Sequence, residues 1–226
     1  MQQQARTAGE TAPRRHHPSE ETLLAYAAGS LAAGPAVVTE SHLALCAPCR
    51  ARLAAFRAAG GAILDALPPT PLAGEALEHC AALAALPAPA RPARRLPRRQ
   101  PRDIVLPASL KAYEFGRWMW LGPGVRSCRI IVPAQPRATA RLLRIAPGCK
   151  IPEHGHSGAE FTLVLHGSFC DGHDRFLPGD FSEADGEVDH QPISDPGVDC
   201  ICVTALEGRM RFHGLLGRLT APFGGL

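Results

Sequence analysis

The chain has 226 residues, 46% of them apolar and 5% aromatic, with a formal net charge of +3. That length and composition support real cores in one large or two small domains, and the charge is too small to indicate a nucleic-acid surface by itself. No run of 18 apolar residues occurs, and Met1-Gln2-Gln3-Gln4 lacks the apolar core of a signal peptide. The expected location is therefore the cytoplasm, with no membrane contact. The eight cysteines are expected as thiols or metal ligands and not as disulfides.

In chain order, residues 1–14 are polar and aperiodic and are expected to be disordered. Residues 19–31 read as a helix, with Ser19 as N-cap, Glu20 and Glu21 in the first turn, and Leu23, Leu24, Ala27 and Leu31 on one side. Gly34-Pro35 opens a second helix. On it His42 and Cys46 lie four apart and share one face. Pro48 suits the first turn of a third helix, so Cys49 sits at its start and can turn back to the corner. That helix carries Leu53, Phe56, Ile63, Leu64 and Leu67, with an interruption or weak point expected at Gly60-Gly61. Residues 72–86 form a fourth, short amphipathic helix.

His42, Cys46 and Cys49 are three of the four N/S ligands that zinc needs. The upstream candidates for the fourth are His16 and His17. The bland alternative is a solvated histidine beside two small buried thiols. The pattern His17, 24 residues, His42-x3-Cys46-x2-Cys49, with Leu23-Leu24-Ala25-Tyr26-Ala27-Ala28-Gly29 after the first histidine, resembles the zinc-binding anti-sigma domain. The resemblance implies His17 as the fourth ligand, with His16 as its rival, and a role in holding a group IV (extracytoplasmic-function) sigma factor inactive. Four small helices make a thin core, which zinc would stabilise directly and which leaves apolar faces for a partner.

Residues 87–103 hold six arginines and five prolines and read as an extended, self-repelling linker. An arginine arm on nucleic acid is the alternative, but no aromatic is interleaved, and no direct nucleic-acid contact is expected.

From Ile104 the pattern turns to short strands at 118–121, 127–132, 140–145, 161–165, 199–205 and 209–214, separated by turns such as Leu177-Pro178-Gly179-Asp180. Evenly spaced short strands predict a small barrel or jelly roll. Within it, His154 and His156 face the same way on an extended segment, and Glu160 begins the next strand. Two imidazoles and a carboxylate suit zinc or another divalent metal. The run Gly148-x5-His154-x-His156-x3-Glu160-x6-Gly167 resembles the first cupin motif. Gly179, eleven residues before His190, matches the ligand spacing of the second, although Asp185, Glu187 and Ser194 depart from its usual turn residues. The resemblance implies His190 as the fourth ligand. Cys200 and Cys202 share one side of a strand; they read as buried structural thiols or, more sharply, as a redox pair.

Together these features resemble the ChrR-type anti-sigma factors. The implied organisation is multidomain, α plus all-β. Residues 1–86 form a small zinc-binding helical domain, 87–103 a linker and 104–226 a cupin β-barrel (jelly roll) that binds a metal. The implied function is regulatory: the helical domain sequesters the sigma factor, and the cupin triggers release on oxidative stress such as singlet oxygen or organic peroxide. No catalytic residues are expected. The alternative is a metal-dependent cupin enzyme of dioxygenase or isomerase type, carrying a zinc-binding interaction domain.

Overall fold

The structure, a computed structural model, describes residues 16–71, 73–87, 100–132, 135, 138–186 and 189–212. The expected disordered start, most of the Pro/Arg stretch and the end of the expected strand at 209–214 lie outside these residues.

Helix α1 (Glu20–Ala28) begins where the sequence indicates: Ser19 Oγ accepts from the Thr22 N–H at 3.1 Å, and Glu20 and Glu21 occupy the first turn. It stops at Gly29, three residues short of the expected end. Helix α2 (Ala33–Leu45) and helix α3 (Ala47–Ala66) are separated only by Cys46, whose backbone is extended, and Pro48 occupies the first turn of α3. Gly60 and Gly61 do not interrupt α3. Each glycine costs a helix about 1 kcal/mol relative to alanine, which lowers its stability without forcing a bend. Helix α4 (Ala76–Ala85) has no buried residue. A short 3-10 turn, Leu110–Ala112, leads into the strands.

Eleven strands follow among the described residues: β1 (Glu114–Gly122), β2 (Val125–Ile131), β3 (Arg141–Ile145), β4 (His154–His156), β5 (Glu160–His166), β6 (Phe169–Cys170), β7 (Arg175–Phe176), β8 (Phe181–Ala184), β9 (Ile193–Ser194), β10 (Cys200–Leu206) and β11 (Met210–Phe212). All pairings between them are antiparallel. They form a six-stranded sheet in the order β1-β2-β3-β10-β5-β8, with smaller sheets β11-β4 and β7-β6-β9. The result is a cupin-like β-sandwich behind a helical region.

The large sheet has two buried faces. On β5, Phe161 and Leu163 point one way, while Glu160 and Thr162 line a cavity on the other. Strand β10 alternates likewise, with Ile201, Val203 and Ala205 against Cys200 and Cys202. The first face packs on helix α2: Val37 and Val38 join one core with Phe161, Leu163, Phe181 and Val203. Fully burying two valines contributes about 3–6 kcal/mol. Close approach is helped by Gly34, where a Cβ would meet Thr139 Oγ1 at 3.0 Å and Ala205 Cβ at 3.3 Å. The Tyr113 hydroxyl donates to Glu40 of α2 at 3.1 Å. Burial and that carboxylate push the tyrosine pKa well up. The helical region therefore shares a core with the sheet, and only Leu23, Leu43, Cys46, Cys49 and Leu53 form a separate small one.

Candidate metal centres

The first centre sits at the corner between α2 and α3. One ligand atom from each of His17, His42, Cys46 and Cys49 lies within 4.8 Å of all the others. His17 Nδ1 is 3.4 Å from both Cys46 Sγ and Cys49 Sγ. In a zinc tetrahedron with bonds of about 2.0–2.3 Å, ligand atoms stand about 3.3–3.8 Å apart, so this donor set fits zinc in type and spacing. The corner forms for local reasons. A helical step of four puts His42 and Cys46 on one face, and the single extended residue lets α3 start at once, which brings Cys49 back.

His16 is not in the cluster. Its backbone spans to the β half instead: its N–H reaches Asp180 Oδ1 at 3.4 Å, its carbonyl accepts from the Phe181 N–H at 3.1 Å, and its ring lies 4.6 Å from that of Phe176. Of the two upstream histidines, His17 is the one placed to bind metal. His42 Nδ1 is 3.1 Å from the Gly179 carbonyl oxygen. An Nδ1–H that donates there leaves the Nε2 lone pair for a metal.

The second centre lies between β4, β5 and the chain before β9. His154, His156, Glu160 and His190 again place ligand atoms within 4.8 Å of one another. Nε2 of His154 and His190 are 3.1 Å apart, and Glu160 Oε2 is 3.4 Å from Nε2 of both His156 and His190. Two backbone hydrogen bonds tie His154 to His190, at 3.1 and 3.0 Å. His154 Nδ1 donates to the Pro152 carbonyl at 2.8 Å, which turns Nε2 inward. Thr204 Oγ1 donates to Glu160 Oε1 at 3.3 Å and accepts from Thr162 at 3.1 Å.

The electrostatics favour metal-binding protonation states. Burial lowers the pKa of His154 and His156, which keeps both imidazoles neutral. Burial pushes Glu160 up, but the hydrogen bond with His190 and the three neighbouring imidazoles outweigh it, and the carboxyl stays below its ordinary value. Neutral imidazoles and a carboxylate are the forms that coordinate a divalent cation.

Three of these ligands, His154, Glu160 and His190, open onto a cavity of 290 Å³. Its other walls are mostly apolar, among them Leu121, Val125, Leu143, Ile145, Ile151 and Phe169. A small apolar molecule can thus reach the metal position. Cys202 also lines the cavity, with its Sγ 3.5 Å from that of Cys200. The hydrogen bond with Cys200 and burial raise the Cys202 pKa well above normal, so its thiol stays protonated.

All eight ligand positions read from the sequence thus come together, four and four. What the sequence did not reveal is the outer layer: Gly179 and Asp180 against the first centre, Thr204 against the second. The turn at 177–180 was visible in the sequence, but a backbone carbonyl that serves a distant histidine leaves no mark in residue type.

Residues 111–208 match the family model described as the ChrR cupin-like domain. The chain is 42% identical over 220 residues to the anti-sigma-E factor ChrR of Cereibacter sphaeroides, covering 92% of this chain and 97% of that protein. Its fold is similar to the crystal structure of Rhodobacter sphaeroides SigE in complex with the anti-sigma ChrR, with a TM-score of 0.68, 39% identity, and coverage of 86% of this chain and 100% of that one.

Proposed function

The chain belongs to the ChrR family of anti-sigma factors, and from that premise we propose that it sequesters a group IV sigma factor and releases it under oxidative stress. The relative is an anti-sigma factor, which is a regulatory role. One observation of this chain carries the partner reading. Ile63, Leu64 and Leu67 of α3 and its end, with Leu77, Leu83 and Leu86 of α4 and its end, are all 54–74% exposed. Large apolar side chains left exposed on two helices that follow one another in the chain are the kind of surface that a protein partner covers. The first centre would hold zinc through His17, His42, Cys46 and Cys49, and zinc would fix the angle between α2 and α3 from which this surface projects.

The cupin half is the proposed sensor. Its centre would hold zinc or another divalent metal through His154, His156, Glu160 and His190. The apolar cavity admits a small oxidised molecule to that centre, and singlet oxygen or an organic peroxide is the proposed stimulus. No single helix among the described residues is long and apolar enough to cross a membrane. The test is co-expression of the full chain with candidate group IV sigma factors. A stoichiometric complex with one of them is the expected outcome. Absence of a complex with every sigma factor of the source genome would overturn the proposal.

A further inference from the structure

We propose that the β7–β8 turn with the first residue of β8, residues 177–181, is an outer clamp of the first metal centre, so that the cupin half holds two of its four ligands in place. This deepens the anti-sigma reading, because it concerns the centre on which that reading rests.

Four contacts carry it. The Gly179 carbonyl meets His42 Nδ1 at 3.1 Å, and the ring of Phe181 lies edge-on to that of His42 at 5.5 Å. The Phe181 N–H donates to the carbonyl of His16, the residue bonded to the ligand His17, at 3.1 Å. Asp180 Oδ1 receives the His16 N–H at 3.4 Å. Asp180 itself is buried and fixed from within the turn, since its Oδ2 accepts the Leu177 N–H at 2.9 Å.

The turn is in turn anchored to the sheet. The Gly179 N–H donates to the Val164 carbonyl at 2.8 Å, and the Val164 N–H donates to the Asp180 carbonyl at 3.1 Å. Val164 belongs to β5, the strand that begins with Glu160 of the second centre. Gly179 has φ +93°, a conformation that other residues adopt only with strain, so the carbonyl that serves His42 depends on glycine there. A histidine ligand needs its second nitrogen engaged to fix its tautomer and ring plane. Among the described residues of the helices, a small core of Leu23, Leu43 and Leu53, with Tyr26, Ala27 and Phe56 packed against it, surrounds the corner. The turn adds contacts from the sheet side.

The experiment uses the full chain with cobalt in place of zinc. Only the first centre contains thiolates, so the thiolate-to-cobalt charge-transfer absorption reports that centre alone. Its decay in excess chelator is measured for wild type, Asp180→Ala, Phe181→Ala and Phe115→Ala. Phe115 is a buried phenylalanine on β1, at the opposite edge of the sheet from β8, and controls for general loss of stability. We expect Asp180→Ala and Phe181→Ala to release cobalt about 10–100-fold faster, with Phe115→Ala close to wild type. If Phe181→Ala fails to fold, Asp180→Ala decides alone. Wild-type release from Asp180→Ala, or equal acceleration by Phe115→Ala, would overturn the clamp. No sigma factor is present, so this result stands apart from success or failure of the anti-sigma reading.

Discussion

His42 Nδ1 and the carbonyl oxygen of Gly179 lie 3.1 Å apart although 137 positions separate them in the chain. A histidine of the candidate metal cluster in the helical region thereby meets a turn of the β region. Together with Val37 and Val38 in the sheet core, this makes the two halves one packed body. A Pro/Arg stretch in the sequence suggests two modules loosely joined, and the shared core joins them more tightly than that.

Cys46→Ser should remove the metal of the first centre and leave that of the second. A thiolate ligand is lost, and the small core of Leu23, Leu43 and Leu53 cannot hold the corner alone. Metal analysis should fall by one equivalent per chain, and sigma binding should go with it. A Cys46→Ser protein that keeps both metals would show the first centre to be misassigned.

Val38→Ala removes two methyl groups from a fully buried site shared by α2, β5 and β10. The cost should be about 2 kcal/mol. Because the core is shared, the helical and β signals should melt together at the lower temperature. A shift confined to the helical signal would mean that the halves unfold independently.

The metal-free protein should lose stability with acid. His154 and His156 have pKa values below normal when folded, whereas the unfolded chain takes up protons near pH 6.5. Below that pH the unfolded state binds more protons, so stability falls. Glu160, also held low, acts in the same direction: its contribution is present above the unfolded carboxyl pKa of about 4.3 and fades as pH falls further. Urea midpoints measured between pH 7.5 and 4 should decline, chiefly below about 6.5. A flat profile would contradict the protonation states assigned to the second centre.

Much of this was legible in the sequence. Helical spacing at His42 and Cys46 and alternation at His154 and His156 each reflect a local geometric rule, whereas His17 and His190 came in only through the resemblance to known motifs; the structure brings all eight residues into two clusters. Strands β2, β3, β5 and β10 were visible because alternation over five or more residues is a strong signal, while β1 was read only over 118–121 of its nine residues. Strands β6, β7 and β9 are two residues long and carry none. Of the two outcomes expected at Gly60-Gly61, the interruption does not occur, because a glycine pair lowers helix stability without imposing a bend. The sharing of Val37 and Val38 with the sheet was hidden for another reason: periodicity says that a face is buried but not against what.

Glu160→Ala should separate holding from sensing. It removes one of four ligands of the second centre but no contact of the first. The variant should keep target genes silent in unstressed cells and fail to induce them under singlet oxygen or organic peroxide. Constitutive expression would show that the second centre is needed to hold the sigma factor.

The central claim is met most directly by run-off transcription in vitro, with core polymerase, the cognate group IV sigma factor and increasing amounts of this chain. One equivalent of the zinc-loaded protein should abolish transcripts from the sigma-dependent promoter, and an equal amount of Cys46→Ser should leave them near their starting level. Undiminished transcription at several equivalents of the wild-type protein would contradict the account.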